Sequence, residues 1–233
     1  MGLFENQAEV VKGFINEKKD SLTSLSEPEG WPRESGLVLE EDTAIELGNP
    51  AGGSLEFLLW TDSSNFPHDR VLLLGPDVPN INQKSAPFAQ VVMAAGSFDQ
   101  EYECYQDLKD TVYETRLEGY MARVLPSRRT VWARVGREAY EKGFSLAHLG
   151  WAIVRELREL EFVTRVTVLF VTSSKEDAEA LAPAARETSR IAAALVRMNE
   201  EMSFDCDTCD YRDVCDTVAE LKVIRKKLKE DRA

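Results

Sequence analysis

Apolar residues near the start of the chain return at helical spacing. Val10, Val11, Phe14 and Ile15 predict a short amphipathic helix. The polar stretch that follows, with Ser21, Ser24, Ser26, Pro28, Gly30 and Pro32, predicts a linker or an irregular arm. The pattern then changes to short apolar runs. Leu37–Leu39, Thr43–Leu47, Leu55–Trp60, Val71–Leu74 and Phe88–Met93 are strand candidates, separated by glycine- and proline-bearing segments such as 48–53 and 65–68. Gly75-Pro-Asp77 breaks the fourth run, and Gly96 closes the fifth.

After Gly96 the period lengthens. Tyr102, Tyr105, Leu108, Val112, Leu117 and Met121 predict one helix over 99–124, stopped by Pro126. Thr130–Val135 alternates like a strand, with Val131, Ala133 and Val135 on one face and Trp132 and Arg134 on the other. Ser145 is placed to cap a helix running through Leu160, with Phe144 and Leu149 as its hydrophobic staple. Val163–Val171 is the clearest strand, and Ser174-Lys-Glu-Asp177 opens a long helix to about Asn199, bent at Pro183. A cysteine-bearing loop follows. Thr217-Val-Ala-Glu220, a capping box, then starts a last helix that would bury Val218, Leu221, Ile224 and Leu228. Strands first and β–α alternation later predict an α+β fold: a mixed β-sheet domain with packed helices, then the cysteine loop and a C-terminal helix. The expected divisions are an N-terminal helix and linker over 1–35, the α+β domain over 36–202, and the cysteine loop with its helix over 203–233.

Composition narrows the function. The chain has 233 residues, 43% of them hydrophobic and 30% charged, enough to bury a sizeable core. A net charge of −13 argues against general nucleic-acid binding, so no nucleic-acid partner is expected. The start has no basic segment followed by an apolar one, and no window approaches the roughly 18 apolar residues of a membrane span. A cytoplasmic protein without a membrane partner is the expectation, in which cysteines act as ligands or free thiols rather than disulfides.

The cysteines are the strongest chemical signal. Three of four lie in Cys206-Asp-Thr-Cys209-Asp-Tyr-Arg-Asp-Val-Cys215, and the fourth is Cys104. Thiolates are soft ligands for zinc or an iron–sulfur cluster, and a pair two residues apart can grip one centre from a single turn. The set Cys206, Cys209 and Cys215 suits a 4Fe–4S cluster or zinc, with Cys104 or a non-cysteine group as fourth ligand; a site shared across a homodimer would also fill it. Neighbouring Asp205, Asp207, Asp210 and Asp213 oppose thiolate formation, but a metal's own charge outweighs them. The plainer reading is a loop of reduced thiols. A second signal is the concentration of Arg116, Arg123, Arg128, Arg129, Arg134 and Arg137 in an acidic chain. Guanidinium groups bind phosphates and an aromatic face stacks on a base, so Trp132 and Arg134, with Arg128 and Arg129, suit a nucleotide-like ligand such as coenzyme A. The plainer reading pairs these arginines with the many carboxylates. His68 and His148 fit structural roles, and no Walker loop, dinucleotide fingerprint or nucleophile elbow is present.

Four segments together carry a resemblance: Ile45-Glu-Leu-Gly-Asn-Pro50, Val71-Leu-Leu-Leu-Gly-Pro-Asp-Val78, Thr130-Val-Trp-Ala-Arg-Val-Gly-Arg-Glu-Ala-Tyr-Glu-Lys-Gly-Phe144 and Val166-Thr-Val-Leu-Phe-Val-Thr172. Over roughly residues 40–210 the chain resembles the middle domain, and the start of the metal domain, of the acetyl-CoA synthase β subunit of the CO dehydrogenase/acetyl-CoA synthase complex. That family joins CO, a methyl group and coenzyme A at a nickel centre bridged to a 4Fe–4S cluster. The resemblance implies a coenzyme A role for Trp132 and Arg134. It also implies that Cys206 and Cys209 match the cysteine pair opening the metal domain, with Cys215 a displaced third ligand. The family's further cluster cysteine, its Cys-Gly-Cys nickel segment and its N-terminal domain have no counterpart in this sequence, so complete acetyl-CoA synthesis by this chain alone is not expected.

The resulting expectation is a metal or iron–sulfur protein acting as an accessory, electron-transfer or assembly factor in anaerobic CO and one-carbon metabolism. Its partners would be components of the CO dehydrogenase/acetyl-CoA synthase complex or a redox protein. A coenzyme A-binding or protein-docking module with a structural cysteine loop is the alternative. A further one is an iron–sulfur nuclease, whose acidic residue and Glu-x-Lys strand find no convincing copy here.

Overall fold

The computed structural model describes residues 2–33, 37–48, 54–61, 68–125 and 130–202. The chain divides into two compact units, Met1–Leu195 and Val196–Ala233; of the second, only residues 196–202, the end of a helix, are described. Cys206, Cys209, Cys215, Arg128, Arg129 and the expected C-terminal helix lie outside the described residues.

The first unit is α+β, built on two mixed sheets. Helix α1 (Glu5–Glu17) leads into strand β1 (Leu22–Leu25), followed by β2 (Thr43–Leu47), β3 (Ser54–Thr61), β4 (Arg70–Leu74), β5 (Ser85–Ala86) and β6 (Phe88–Gly96). Helix α2 (Glu101–Glu114) precedes the hairpin strands β7 (Tyr120–Leu125) and β8 (Thr130–Gly136). Helices α3 (Arg137–Glu141) and α4 (Leu146–Arg158), strand β9 (Val163–Val171), and helices α5 (Lys175–Ala180) and α6 (Ala182–Met202) complete the series. One sheet has the order β1-β4-β9-β6-β3 and the other β5-β2-β8-β7. In the larger sheet β4 runs parallel to β9 and β3 parallel to β6, while β6 and β9 pair antiparallel through Val91↔Leu169 and Val92↔Val168. Strands β4, β6 and β9, inside this sheet, are buried on both faces along most of their length. That explains their continuous apolar runs, β6 being buried at every position from Phe88 to Ala95.

Most expected strands are present, and three local expectations are corrected. Leu37–Leu39 is not a strand; Leu37 is 75% exposed, although Val38 turns inward. Leu22–Leu25, expected within a linker, forms an edge strand antiparallel to β4. The single helix expected over 99–124 ends at Glu114 instead, and Tyr120–Leu125 becomes a strand. The switch is set by Gly119, which holds φ +70°, a left-handed conformation open to glycine, and lies so close to Ala139 that an added Cβ would come within 2.4 Å of the alanine's own. Tyr120–Leu125 then gains a full antiparallel ladder on β8, a non-local reward that helical periodicity does not register.

Capping at Ser145 follows the sequence closely. Its hydroxyl accepts from the Ala147 N–H at 2.9 Å, and its own N–H donates to Nδ1 of His148 at 3.1 Å, closing a capping box. The cap is tied to the Gly75-Pro-Asp77 turn by Asp77. Asp77 Oδ1 accepts from the N–H groups of Val78 and Leu146, at 2.7 and 2.8 Å, and Oδ2 accepts from the Ser145 hydroxyl at 2.5 Å. Ser174 caps α5 by accepting from the Asp177 N–H, and the expected bend falls at Leu181, between α5 and α6.

Candidate functional site

Strand β8 places the expected ligand-facing residues as its alternation requires. Val131, Ala133 and Val135 are 1% exposed or less, while Trp132 and Arg134 share the opposite face. They are in contact: the Arg134 guanidinium carbon lies 4.3 Å from the Trp132 ring centroid, a cation–π geometry. Arg134 Nε also donates to Glu46 Oε1 at 3.3 Å, across the β2–β8 pairing, and a terminal nitrogen lies 3.8 Å from Glu40 Oε2. Glu46 and Glu40 therefore occupy the positions at which a ligand phosphate would meet this guanidinium. Arg137, further along, donates to the Glu41 carbonyl, and Arg116 lies over the Tyr113 ring at 5.9 Å. Arg116, Arg134 and Arg137 thus each have separate partners among the described residues.

Cys104 sits on α2, 7% exposed, among core residues. Burial pushes its thiol up, and Asp107, Glu103 and Asp99 push the same way against a backbone hydrogen bond to Gln100. A protonated thiol is the favoured state, so a metal has to displace that proton before Cys104 can serve as a ligand. Among the described residues no group of three or more His, Cys, Asp or Glu is arranged to hold a metal ion. The donor chemistry of Cys206, Cys209 and Cys215 itself fits a thiolate-bound cluster or zinc. His148 is occupied by the α4 cap, with its pKa lowered chiefly by burial.

A cleft of about 280 Å³ lies where β3, β6 and β7 meet α2 and α4. Glu56 and Gln90 are cross-strand neighbours on β3 and β6, and Gln90 Nε2 donates to Glu56 Oε1 at 3.3 Å. Glu56 Oε2 and the Tyr120 hydroxyl are shut off from solvent and have no hydrogen-bond partner among the described residues. Burial raises the Glu56 carboxyl to about 7, and burial together with the charge of Glu56 drives the Tyr120 phenol far above its ordinary value. Val131 also lines the cleft, so it opens on the face of β8 opposite to Trp132. Sequence reading missed both polar residues. Glu56 left a faint signal as an acid inside the apolar run Leu55–Trp60, whereas Tyr120 was hidden in a segment expected to be helical.

Residues 33–177 match the sequence profile of the CO dehydrogenase/acetyl-CoA synthase complex beta subunit. The chain belongs to this family. Similar proteins include the acetyl-CoA decarbonylase/synthase complex subunit beta of Methanopyrus kandleri, 32% identical over 161 residues that cover 66% of this chain and 34% of the relative. Subunit beta 2 of Methanocaldococcus jannaschii is 26% identical over 155 residues, covering 65% and 32%, and subunit beta 1 of Methanosarcina thermophila is 27% identical over 146 residues, covering 61% and 31%. The chain spans about a third of the length of these relatives, which are named as subunits of a multi-protein complex. The family match includes β8 with Trp132 and Arg134, the Asp77–Ser145 junction, Cys104 and the Glu56 cleft; Cys206, Cys209 and Cys215 lie beyond it. Among the described residues no helix is long and apolar enough to cross a membrane.

Proposed function

We propose that this chain is an acetyl-CoA synthase-like accessory, electron-transfer or assembly factor in CO and one-carbon metabolism. It binds a metal or a 4Fe–4S cluster through Cys206, Cys209 and Cys215 and works with components of a CO dehydrogenase/acetyl-CoA synthase complex. The family match over residues 33–177 carries this reading, because it ties the fold to subunits of such a complex. Three thiolates in ten residues supply most of a cluster's ligand set, and Cys104, a non-cysteine group or a second chain completes it. The deciding experiment is anaerobic purification with metal analysis and absorption and paramagnetic resonance spectra. Brown protein absorbing near ~400 nm, with about four irons per cluster, is expected, and replacing Cys206, Cys209 and Cys215 by serine should bleach it. Colourless protein with stoichiometric zinc would leave a structural metal in place of a cluster. Metal-free protein with unchanged thermal stability after those replacements would end the metal reading.

The shared face of Trp132 and Arg134 favours a second reading, a coenzyme A-binding surface. Its test is calorimetric titration of coenzyme A. Trp132→Ala should abolish the heat, and Glu46→Gln should strengthen binding by up to about fivefold, by releasing Arg134 from an ion pair worth up to ~1 kcal/mol. No heat from any of the three proteins removes coenzyme A as the ligand.

A further inference from the structure

Residues 26–33, which follow β1, lie along α4 without regular structure. Among the described residues their backbone makes one backbone–backbone hydrogen bond, in which the Pro32 carbonyl accepts from the Glu118 N–H at 2.9 Å. Every residue of the segment is exposed except Pro28 and Trp31, which are half-buried. Two open grooves, of about 500 and 510 Å³, meet at the Arg33–Glu156 ion pair, which lines both. That pair and the one between Glu27 and Arg155 are half-exposed, so each holds the segment weakly. The segment is therefore a strap fastened chiefly at Trp31. The Trp31 ring is edge-on to Phe144 at 5.3 Å and lies 4.6 Å from the His148 imidazole, and its Nε1 donates to the Glu118 carbonyl at 2.9 Å. Few buried contacts and few backbone hydrogen bonds mark a part of a fold that opens locally at low cost. The strap uses no cysteine and neither Trp132 nor Arg134, so it stands apart from both readings above.

His148 is the titratable half of this fastening. Its Nδ1 accepts from the Ser145 N–H at 3.1 Å, so a proton taken from solvent at Nδ1 removes the acceptor that closes the capping box. The imidazolium so formed would lie between Trp31 and Phe144, largely out of water. We propose that residues 26–33 form an acid-released strap: His148 takes a proton more readily once Trp31 has lifted, so acidification favours the lifted state and joins the two grooves across Glu156. Burial, the chief cause of the lowered His148 pKa, acts in the direction this requires. Of the charged groups around the ring, Asp77 after β4 opposes burial and Arg155 on α4 reinforces it. Lys142, beyond α3, is held by Glu118 and Glu138, while Glu27 and Arg33 of the strap pair with Arg155 and Glu156. The fastened strap favours the neutral ring, so its hold is complete above the ordinary imidazole value of 6.5 and weakens as pH falls.

The test uses the full chain labelled with 5-fluorotryptophan, with fluorine and imidazole proton resonances followed from about pH 7.5 down to about 5.5. The Trp31 resonance, assigned by its loss in Trp31→Phe, is expected to move with the same midpoint as the His148 ring, below 6.5, while that of the buried Trp60 stays still. His148→Gln keeps an acceptor for the Ser145 N–H but takes no proton, and it should abolish the movement. Trp31→Ala should raise the His148 midpoint towards 6.5. Each unit of that rise is about a tenfold change in the ratio of fastened to lifted strap between the neutral and protonated ring. A Trp31 resonance that does not move, or that still moves in His148→Gln, overturns the proposal. So does an unchanged His148 midpoint in Trp31→Ala, or one above 6.5 in the wild type, which would mean that the indole face holds the imidazolium. Movement of Trp60 together with Trp31 would be general acid unfolding and would overturn it as well. Should His148→Gln fail to fold, the Trp31→Ala titration decides alone.

Discussion

Glu56 and Asp77 show how much one carboxyl depends on what surrounds it. Asp77 is satisfied by two backbone N–H groups and a hydroxyl, and it joins the turn after β4 to the start of α4. Asp77→Ala strips both N–H groups of their acceptor and should cost about 2–4 kcal/mol in denaturant unfolding. Glu56 is the opposite case, with one oxygen unpaired among the described residues and its carboxyl raised to about 7 by burial. A carboxyl raised in the fold keeps its proton where the unfolded chain has lost it, so stability falls as pH rises from ~4.5 through about 7. Glu56→Gln removes that slope. The variant should be more stable than the wild type at pH 8 by up to ~3 kcal/mol, and the gain should vanish below pH ~4.5. A gain independent of pH would mean that Glu56 does not titrate between those limits.

At the scale of elements, the segment 99–124 is decided by its turn. Its apolar spacing permits a helix throughout, yet Leu117–Tyr120 forms a tight turn around Gly119, and its backbone is anchored from outside: the Glu118 N–H donates to the Pro32 carbonyl, and Trp31 Nε1 donates to the Glu118 carbonyl. Gly119→Ala combines a left-handed φ with a clash on Ala139, and thermal unfolding should report a loss of about 2–4 kcal/mol. The same element sets the cleft, because the start of β7 is what brings Tyr120 over Glu56. Strand β8 behaves differently. Its alternation alone sorts Trp132 and Arg134 from the core face, and the ion pair with Glu46 comes from the neighbouring strand.

Across the first unit, the N-terminal helix is part of the core. Phe4 is fully buried, edge-on to Trp60 with ring centroids 4.5 Å apart, and Ala8 and Val11 are buried beside it. Lys18, just past α1, pairs with Asp177 of α5 at 2.8 Å, which lowers the aspartate's pKa. Phe4→Ala should cost about 3–5 kcal/mol, and loss of α1 should expose Trp60, visible as a red shift of its fluorescence. Cys104 gives a second check at this scale. Buried with its thiol pushed up, it should react with Ellman's reagent far more slowly in the folded chain than after unfolding.

Periodicity and punctuation by themselves determined the α+β class, the strands β3, β4, β6, β8 and β9, the Ser145 and Ser174 caps, and the two faces of β8. Each of these follows from forces acting within a few residues: side-chain alternation, cap hydrogen bonds, and glycine or proline stops. The quoted segments were also enough to point to the family. Only the tertiary structure decided that Leu22–Leu25 is a strand, that 120–125 leaves the helix, and that Glu56, Gln90 and Tyr120 meet in one cleft. The first and last depend on partners 30 or more positions away, β4 for β1, β6 for β3, and Tyr120 for Glu56, whereas 120–125 depends on β8, 5 to 15 positions on, and on the turn at Gly119. Pairing at that separation is settled by whole-sheet burial, which no local pattern records.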